Sequence, residues 1–404
     1  MADSREAAVI GARLRAAREA AGVSLGGLSR KIPYSRAALG HYETGARTAP
    51  PDVISWYERV FGGAATDPVT SLSTLGKADV DRRSFLRRAT YSAALSATAL
   101  GLTPEVGRIA AIADDRIVGM GEIDALRQVT DAFCRLDEHR GGGVGRTAIA
   151  EFLATDVADL LRSRFASSQV KSQALSAAAE LAYLAGFKAH DAGFDGMAQR
   201  YYLTALGLAE ESQVPGHDGW IFRILALQGA DLGNRMFSVN LAEEAARRAH
   251  GRVDASTQAL FTIAVARCHA ETGGRREAHD ALRTVEPWID AAGVGELPAW
   301  CAWWGGDKAT VNNQAAKTLR ALAEWGEAES HHLLATTFWD PQKHRRVYGR
   351  TMADVGLARW ENGDPGGAVA AWEIAIPILA PLQSTRADAA LAKIRKRAPQ
   401  LVLT

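Results

Sequence analysis

Residues 24–45 read Ser-Leu-Gly-Gly-Leu-Ser-Arg-Lys-Ile-Pro-Tyr-Ser-Arg-Ala-Ala-Leu-Gly-His-Tyr-Glu-Thr-Gly, and this stretch decides the fold of the N-terminal part of the chain. Ser24 and Ser35 are each suited to cap a short helix, because a serine hydroxyl accepts a hydrogen bond from an unpaired amide in the first turn. Pro33 ends the first helix, since it lacks an amide hydrogen and disfavours a helical conformation at the preceding residue. Gly45 ends the second, because glycine adopts the left-handed conformation without strain. The pattern predicts a helix-turn-helix.

The second predicted helix has two different faces. Leu39 and Tyr42 recur at helical spacing and face inward. The residues on the other side are small or basic, as a helix that enters the major groove of DNA requires. The candidate DNA-contacting residues are Ser35, Arg36, Ala37, Gly40, His41, Thr44 and Arg47. For Arg36 and His41 the alternative is an ordinary solvated surface position, which the sequence leaves open.

Helical patterns flank this stretch on both sides. Residues 5–21 predict an amphipathic helix with Leu14 on its apolar face, and residues 51–61 predict another with Tyr57 on its apolar face. Several short helices in about sixty residues make a compact helical domain. We place this domain at residues 1–62.

Several short motifs occur here in order and at consistent spacing. They are Gly11-Ala-Arg-Leu-Arg-Ala-Ala-Arg-Glu-Ala-Ala-Gly-Val-Ser24, Leu28-Ser29, Tyr34-Ser-Arg36 and Tyr42-Glu-Thr-Gly45. In these motifs residues 5–62 resemble the phage-repressor/Cro-like (XRE) family of helix-turn-helix regulators.

The resemblance implies roles for individual residues. Arg18 and Glu43 would form the ion pair that joins the first helix to the recognition helix. The other implied roles are base-edge contacts by Arg36, Ala37 and His41 and phosphate contacts by Ser35 and Arg47. The chain departs from the family at residues 25–27, Leu-Gly-Gly, where the family usually begins its second helix with a glutamine that contacts DNA. That contact is absent, so we expect modest affinity per half-site.

Charge is distributed unevenly along the 404 residues. Residues 1–108 contain 15 Lys and Arg against 10 Asp and Glu, whereas residues 109–404 contain 32 against 36. A basic N-terminal part and an acidic remainder fit a small nucleic-acid-binding module on a larger ligand- or partner-binding body. Unrelated domains also differ in charge in this way, so the asymmetry alone decides nothing.

The composition argues against several other classes. Cys134, Cys268 and Cys301 are far apart, which indicates neither a disulfide framework nor a zinc site and fits a reducing cytoplasm. No apolar run reaches the roughly 18–20 residues that span a bilayer. No nucleophile elbow, dinucleotide fingerprint or zinc-protease motif is present. We expect a cytoplasmic protein that is not an enzyme, with no cofactor, no metal site and no membrane contact.

Residues 63–119 are expected to connect two domains. Residues 62–80 are rich in Gly, Ser, Thr, Asp and Pro, which predicts a flexible linker. The run Asp81-Arg-Arg-Ser-Phe-Leu-Arg-Arg88 followed by the weakly apolar residues 89–102 has the form of a twin-arginine export signal, but such a signal lies at the N-terminus. We interpret it as part of an alanine-rich connecting helix, similar to segments that follow the DNA-binding domain in actinobacterial regulators.

The remaining residues, 120–404, contain a repeat. Five short turns are each followed by a small residue and an apolar helix, and the small residues are Ala198, Ser238, Ala278, Ala328 and Ala368. The intervals are 40, 40, 50 and 40 residues. Antiparallel helix pairs that repeat at this length form an α-solenoid. The pattern resembles tetratricopeptide repeats, although their usual length is about 34 residues, and it leaves the number of units open.

Tetratricopeptide superhelices bind ligands along an inner groove formed by the first helix of each pair. In this register the groove carries Tyr183, Phe187, His190, Arg223, Leu227, Ile263, Arg267, Asn313, Lys317, Arg320 and Arg350. Basic and amide side chains suit a peptide backbone, a carboxylate or a phosphate, and the alternative is surface charge that maintains solubility. The cluster of Trp300, Trp303 and Trp304 either packs helix on helix or forms an aromatic binding floor.

These features predict an all-α protein, with an N-terminal helix-turn-helix domain followed by an α-solenoid of tetratricopeptide-like helix pairs. The layout resembles actinobacterial transcription regulators and, more loosely, the peptide-sensing quorum regulators of Gram-positive bacteria. The resemblance implies a homodimer that binds double-stranded DNA and whose repeat domain senses a peptide or small-molecule effector or docks a partner protein. The competing interpretation is a protein-interaction adaptor with a degenerate helix-turn-helix and no sequence-specific DNA binding.

Overall fold

The computed structural model describes residues 10–12, 14, 15, 18, 19, 23–30, 32, 34–50, 53, 56, 57, 60, 68–79, 117–233, 235–291, 297–304 and 307–401, without the side chains of 235–237, 288–291, 303, 304 and 307. The fold is all-α, as predicted: a helix-turn-helix is followed by a solenoid of helix pairs. The chain divides into two compact units, Met1–Thr74 and Leu75–Thr404. Pro33 and the expected connecting helix at 89–102 lie outside the described residues.

The helix-turn-helix consists of α1, Leu25–Leu28, and α2, Arg36–Glu43. The described residues between 10 and 19, and those between 53 and 60, are also helical. Together these helices enclose one apolar core, formed by Leu14, Leu28, Ile32, Leu39, Tyr42, Ala49, Val53 and Tyr57. Burial of these side chains holds the two short helices at a fixed angle, since neither is long enough to be stable alone.

The predicted helix caps are present. The hydroxyl oxygen of Ser24 accepts a hydrogen bond from the Gly27 amide at 3.0 Å. The hydroxyl oxygen of Ser35 accepts one from the Ala38 amide at 3.2 Å. After α2, Gly45 has a φ of 71°, which is the left-handed conformation expected at the end of a helix. Both helices therefore begin at their predicted caps, and α2 ends as predicted, whereas α1 ends at Leu28, several residues before Pro33, where the sequence predicted its end.

Gly11 allows the first helix to lie directly against the end of α2. A methyl group at this position would come within 2.4 Å of the carbonyl oxygen of Tyr42 and within 2.9 Å of that of Glu43. These contacts are with backbone atoms, which cannot rotate away as a flexible side chain does. Glycine at position 11 therefore sets the distance between the two helices.

Helix α3, Pro68–Asp79, takes the place of the flexible linker that the composition predicted, so that expectation was wrong for these residues. Proline is favoured in the first turn of a helix, and Leu72 and Leu75 are buried at helical spacing. The apolar face is narrow, and the many Gly, Ser and Thr residues of this segment gave it the composition of a linker. At its end, the Asp79 carboxylate forms an ion pair with Arg146, which fixes the helix terminus.

The second unit is a series of helices that pack mainly against their neighbours in sequence. It begins with the parallel strand pair β1 (Ile117–Val118) and β2 (Arg164–Phe165), between which lie α4 (Met120–Arg140), α5 (Arg146–Phe152), the π-helical residues Leu153–Val157 and α6 (Ala158–Arg162). The helix pairs follow as α7 (Ser168–Asp191) with α8 (Asp195–Ser212), α9 (His217–Asp231) with α10 (Arg235–Ala249), α11 (Ala255–Thr272) with α12 (Arg275–Ala291), α13 (Asp307–Ala321) with α14 (Trp325–Phe338) and α15 (Arg345–Glu361) with α16 (Pro365–Leu379). The 3₁₀ turn Ala299–Trp304 precedes α13, and α17 (Thr385–Arg397) with the 3₁₀ turn Pro399–Leu401 ends the unit.

The same turn recurs in each of these pairs. The small residues that mark the repeat are all fully buried: Ala198, Ser238, Ala278, Ala328 and Ala368. Five positions before each of them φ is positive, at 82° for Gly193, 77° for Gly233, 85° for Gly273, 62° for Ala323 and 84° for Gly363. This recurrence confirms the predicted repeat register. It also shows that one turn places an alanine in a conformation that favours glycine.

The C-terminal end of the solenoid packs against its N-terminal end. The Gln383 amide donates a hydrogen bond to the carbonyl oxygen of Arg140 at 2.8 Å, and the Gly143 amide donates one to the carbonyl oxygen of Gln383 at 3.0 Å. The Ser384 hydroxyl, which caps α17, donates to the Asp191 carboxylate at the end of α7 at 2.9 Å. Helix α17 and the residues before it therefore close the unit.

The glycine run at 141–145 is explained by this closure. A methyl group at Gly141 would lie 2.7 Å from the carbonyl oxygen of Gln383, and one at Gly142 would lie 2.6 Å from the Cβ of Asp191. Larger residues would separate the two ends of the solenoid.

Buried charges make a second connection between the ends. The guanidinium of Arg346, at the start of α15, lies 2.8 Å from the Asp137 carboxylate and 3.1 Å from the Glu138 carboxylate, both on α4. Glu138 also accepts hydrogen bonds from the amides of Arg346 at 3.0 Å and Val347 at 3.2 Å. Buried charges need such compensation, so α4 and α15 are tied together.

Candidate functional site

Helix α2 presents a polar surface opposite the buried Leu39 and Tyr42. Six of the seven candidate DNA-contacting residues are exposed, namely Ser35, Arg36, Ala37, His41, Thr44 and Arg47, and Gly40 is half-buried between them. The arrangement places small residues beside an arginine and a histidine along one helix. Such a face can approach base edges closely and offer hydrogen-bond donors to them.

The position of α2 is fixed by a buried polar network. Arg18 donates from Nε and Nη2 to the two carboxylate oxygens of Glu43, at 2.7 and 2.6 Å, which confirms the ion pair that the family resemblance implied. The Tyr57 hydroxyl donates to the same carboxylate at 2.7 Å, and Arg18 also donates to the carbonyl oxygen of Val23 at 2.9 Å. The hydrogen bond to Glu43 raises the pKa of Arg18, and burial raises the pKa of Tyr57. The network joins the first helix, α2 and the helical residues near position 57.

Two of the candidate residues use part of their hydrogen-bonding capacity within the protein. The Ser35 oxygen accepts the capping hydrogen bond, while its hydroxyl hydrogen can point outward. The Thr44 hydroxyl donates to the carbonyl oxygen of Gly40 at 2.9 Å, so its outward face offers acceptor lone pairs and a methyl group. Arg36 and His41 are therefore the strongest donor candidates on the helix.

Helix α1 lacks the DNA-facing side chain that is usual in the family it resembles. It comprises four residues, two of which are Gly26 and Gly27. A methyl group at Gly26 would meet no atom within 4 Å, so this side of the helix is open. The structure therefore leaves unoccupied space beside Gly26.

In the second unit, helices α7, α9, α11, α13, α15 and α17 surround a cavity with two chambers. The cationic chamber has a volume of about 370 Å³, and its basic lining residues are Arg267, Lys317, Arg320, Arg350, Arg386 and Lys393. The aromatic chamber has a volume of about 140 Å³ and is lined by Tyr183, Phe187, Tyr202, Trp220, Trp339 and Asn313, among others. The chambers adjoin, because residues such as His190 and Lys317 line both.

Positive charge exceeds negative charge around the cavity. The two chambers together are lined by eight basic residues, Arg223, Arg267, Lys317, Arg320, Arg346, Arg350, Arg386 and Lys393, and by three acidic residues, Asp231, Glu271 and Asp354. Asp231 forms an ion pair with Arg267 and lies 3.3 Å from Arg386, and Asp354 forms an ion pair with Arg320. Arg346 is paired with the carboxylates of α4, whereas no ion pair joins Arg223, Lys317, Arg350 or Lys393 to a residue that the structure describes.

Burial changes the ionisation of several of these groups. It lowers the pKa of Lys317 well below the usual lysine range, with further lowering by the nearby Arg267 and Arg350. It also lowers the pKa of Arg350 to about 9 and that of Arg223 to about 10. Burial disfavours the charged form of each base, and an anion bound beside these groups would favour the charged form again.

The predicted groove residues lie together at this cavity. Tyr183, Phe187, His190, Arg223, Leu227, Arg267, Asn313, Lys317, Arg320 and Arg350 line one chamber or both, and all lie on the first helices of their pairs. The prediction was wrong for Ile263. It occupies the repeat position of Arg223 and Asn313, but its apolar side chain is fully buried and lines neither chamber.

Six charged residues of the cavity were not predicted from the sequence: Asp231, Glu271, Arg346, Asp354, Arg386 and Lys393. The predicted groove was defined by aromatic, apolar, basic and amide side chains, so its acidic residues fall outside the prediction, although Asp354 follows Arg350 by one helical turn. Arg386 lies on α17, outside the repeat register that predicted the other residues. Its contribution depends on closure of the solenoid, which leaves no local signal in the sequence.

The tryptophan cluster is resolved in part. Trp300 is buried, and its ring stacks on His217 with the ring centres 5.5 Å apart, so it belongs to the core. Trp339 is buried beside the aromatic chamber. The side chains of Trp303 and Trp304 lie outside the described part of the chain.

Residues 9–66 match the model of a helix-turn-helix domain family. This range contains α1, α2 and all seven candidate DNA-contacting residues, which supports a DNA-binding domain at this position. A comparison with curated proteins gives no match. In the part of the chain that the structure describes, no helix is long and apolar enough to cross a membrane. No group of three or more His, Cys, Asp or Glu among the same residues is arranged to hold a metal ion.

Proposed function

We propose that this protein is a sequence-specific DNA-binding transcription regulator of the phage-repressor/Cro-like type, with α2 as its recognition helix. The observation that carries the proposal is the division of α2 into a buried side, Leu39 and Tyr42, and an exposed side with Arg36, Ala37 and His41. An arginine on such a face can donate two hydrogen bonds to a guanine, and a small neighbour lets the helix approach the bases. The family match over residues 9–66 supports this assignment.

The regulator acts as a homodimer in this proposal. Helix α2 has eight residues, so one copy can read few base pairs, and helix-turn-helix proteins reach specificity through two half-sites. The glycines of α1 add to this requirement, because they remove a contact that would strengthen each half-site. Two copies on one DNA duplex compensate for modest affinity per copy.

The helical-repeat domain, residues 120–404, is the sensing part of the proposed regulator. Its tetratricopeptide-like pairs surround the cavity, where a small-molecule or peptide effector binds or a partner segment docks. Residues 63–119 connect it to the DNA-binding domain at residues 1–62. This arrangement is that of the actinobacterial regulators that the chain resembles, and it assigns no catalytic step to the cavity.

The proposal is tested by selection from a pool of randomised DNA duplexes with the full-length chain. We expect enrichment of one sequence with two inverted half-sites, their centres about 10 base pairs or a multiple of that distance apart. A pool that stays random after repeated rounds at about 0.15 M salt would overturn the proposal, because non-specific phosphate binding is weak under that condition.

A second candidate is a protein-interaction adaptor whose helix-turn-helix no longer reads DNA. The open space beside Gly26 in α1 favours this candidate. An adaptor would enrich no DNA sequence, whereas a weak regulator would still enrich one. The same selection therefore separates the two.

A further inference from the structure

The cationic chamber contains basic side chains that form no ion pair with any residue that the structure describes. Asp231 and Asp354 are engaged with Arg267 and Arg320, respectively. Lys317 and Arg350 make no hydrogen bond and no salt bridge to any residue that the structure describes, although both line the two chambers. Two unpaired basic groups that face the same chamber repel each other when both are charged, and a bound anion would offset this repulsion.

Two buried arginines of the cavity also have unused donors. The Nη2 atom of Arg223 and the Nε atom of Arg267 are buried and have no hydrogen-bond partner in the described part of the chain. Their residues are 3% and 6% exposed. Leaving such a donor unpaired in a protein interior costs free energy, which a bound acceptor would restore.

The geometry therefore favours a compact group with several acceptor atoms. Lys317 lies on α13 and Arg350 on α15, while Arg386 approaches from α17. Oxyanions match this set, because a guanidinium offers two parallel donors to a carboxylate or phosphate and an ammonium adds a point charge. A volume of about 370 Å³ is within the range of small-molecule sites.

The aromatic chamber has room and hydrogen-bonding groups for the uncharged part of such a ligand. The Oδ1 atom of Asn313 and the Nε2 atom of Gln228 line it and have no partner among the described residues. One is an acceptor and the other a donor, beside the rings of Phe187 and Tyr202. These groups suit the uncharged, polar part of an organic molecule.

We propose that the cationic chamber binds the oxyanion group of a small organic molecule, a phosphate or a polycarboxylate, with Lys317 and Arg350 as its principal partners. The inference names the ligand class of the sensing domain, and it rests on the proposed function for its consequence in regulation. Arg350 and Arg386 lie on α15 and α17, the helices that join the C-terminal end of the solenoid to its N-terminal end. Neutralising their charges would stabilise this closure, and so ligand binding and the closed form would favour each other.

The test is isothermal titration calorimetry of the full-length chain, without DNA, with pyrophosphate and with citrate. Sodium chloride holds the ionic strength constant, and a sodium chloride titration serves as the blank. We expect saturable binding of at least one probe with one site per chain. Pyrophosphate alone would indicate a phosphorylated ligand, and citrate alone would indicate a polycarboxylate.

Variants locate the site. Lys317→Gln and Arg350→Gln are each expected to weaken binding about tenfold or more, since a hydrogen bond to a charged partner is lost. Lys343→Gln is the matched control, because Lys343 is exposed and lines neither chamber. Heats equal to the blank for both probes, or equal affinity in the wild type and both cavity variants, would overturn the inference.

A measurement on the wild type keeps the test valid if a variant fails to fold. Bound pyrophosphate or citrate should raise the thermal midpoint of unfolding above that in sodium chloride of equal ionic strength, because a ligand of the native state stabilises it. An identical midpoint in all three salts would count against the inference. Anion binding without selection of a DNA sequence would refute the proposed function alone, and DNA selection without anion binding would refute this inference alone.

Discussion

Arg18 and Glu43 lie 25 residues apart and are joined by two buried hydrogen bonds of 2.7 and 2.6 Å. Because Glu43 is the last residue of α2, this pair fixes the recognition helix to the rest of its domain. Tyr57 adds a third hydrogen bond to the same carboxylate. The presentation of Arg36 and His41 therefore depends on a pair that does not itself contact DNA.

Removal of the Glu43 carboxylate should destabilise the packing of α2 against the rest of its domain. Glu43→Ala leaves the Arg18 guanidinium without its partner, and the cost of breaking a buried pair in this way is about 3 kcal/mol. Hydrogen exchange of the full-length chain, read on peptides that cover residues 36–43, should show a corresponding loss of protection. Glu19→Ala is the control, since the exposed Glu19 carboxylate pairs mainly with the exposed Arg15 and lies 3.5 Å from Arg18, so protection should change much less. Equal protection in the two variants would contradict this role for the pair.

The turn at Ala323 offers a stabilising substitution. Its φ of 62° costs an alanine about 1 kcal/mol more than a glycine, so Ala323→Gly should raise the free energy of unfolding by about that amount. Gly273→Ala should lower it by at least as much, because Gly273 has a φ of 85° and a methyl group there would touch nothing within 4 Å. Urea unfolding of the full-length chain, followed by circular dichroism, measures both changes.

Gly196→Ala is the control for the addition of a methyl group to a glycine. It lies in the first turn of α8, its φ is not positive, and a methyl group there would also touch nothing within 4 Å. Gly196→Ala should therefore be neutral or stabilising. If Gly196→Ala and Gly273→Ala shift stability in the same direction, backbone conformation is not the cause.

Acid should destabilise the repeat unit through its buried histidines. Burial lowers the pKa of His332 to about 3, and both ring nitrogens lack a partner among the described residues. Between pH 6.5 and about 3, the unfolded chain binds a proton at this site and the native chain does not, so stability falls as the pH falls. His217, whose pKa is also lowered to about 3, acts in the same direction.

The contribution of His332 can be isolated by substitution. His332→Gln should reduce the slope of unfolding free energy against pH by up to about 1.4 kcal/mol per pH unit below pH 6.5. His250→Gln is the control, because His250 is exposed. Urea unfolding at a series of pH values gives the slopes. Parallel curves for the wild type and His332→Gln would contradict the assignment.

The sequence predicts those features that depend on local chemistry. Ser24 and Ser35 are recognisable as caps, and the small residues from Ala198 to Ala368 reveal the repeat, because each signal lies within one turn of a helix. The face of each first helix follows from the same register, which is why ten of the residues that line the cavity could be named in advance. Ile263 shows the limit of that rule, since its side chain lies on the correct helix but packs inward.

Closure of the solenoid could not be predicted in this way. Arg346 and Glu138 are 208 residues apart, and no local pattern connects them. In the sequence, the glycine run at 141–145 resembles an ordinary loop. Only the folded chain shows that Gln383 packs directly against it. Arg386 likewise becomes a cavity residue through closure. Long-range pairing of this kind is fixed by the assembled helices.

The most direct test of the proposed function is the affinity of Arg36→Ala for the duplex obtained by selection, measured against a scrambled duplex over a range of salt concentrations. If Arg36 contacts a base, the variant should lose about tenfold or more on the selected duplex and much less on the scrambled one. Arg15→Ala, which removes the same charge from an exposed position in the same domain, should retain the preference for the selected duplex. An Arg36→Ala variant with unchanged affinity and unchanged salt dependence would contradict the assignment of α2 as the recognition helix.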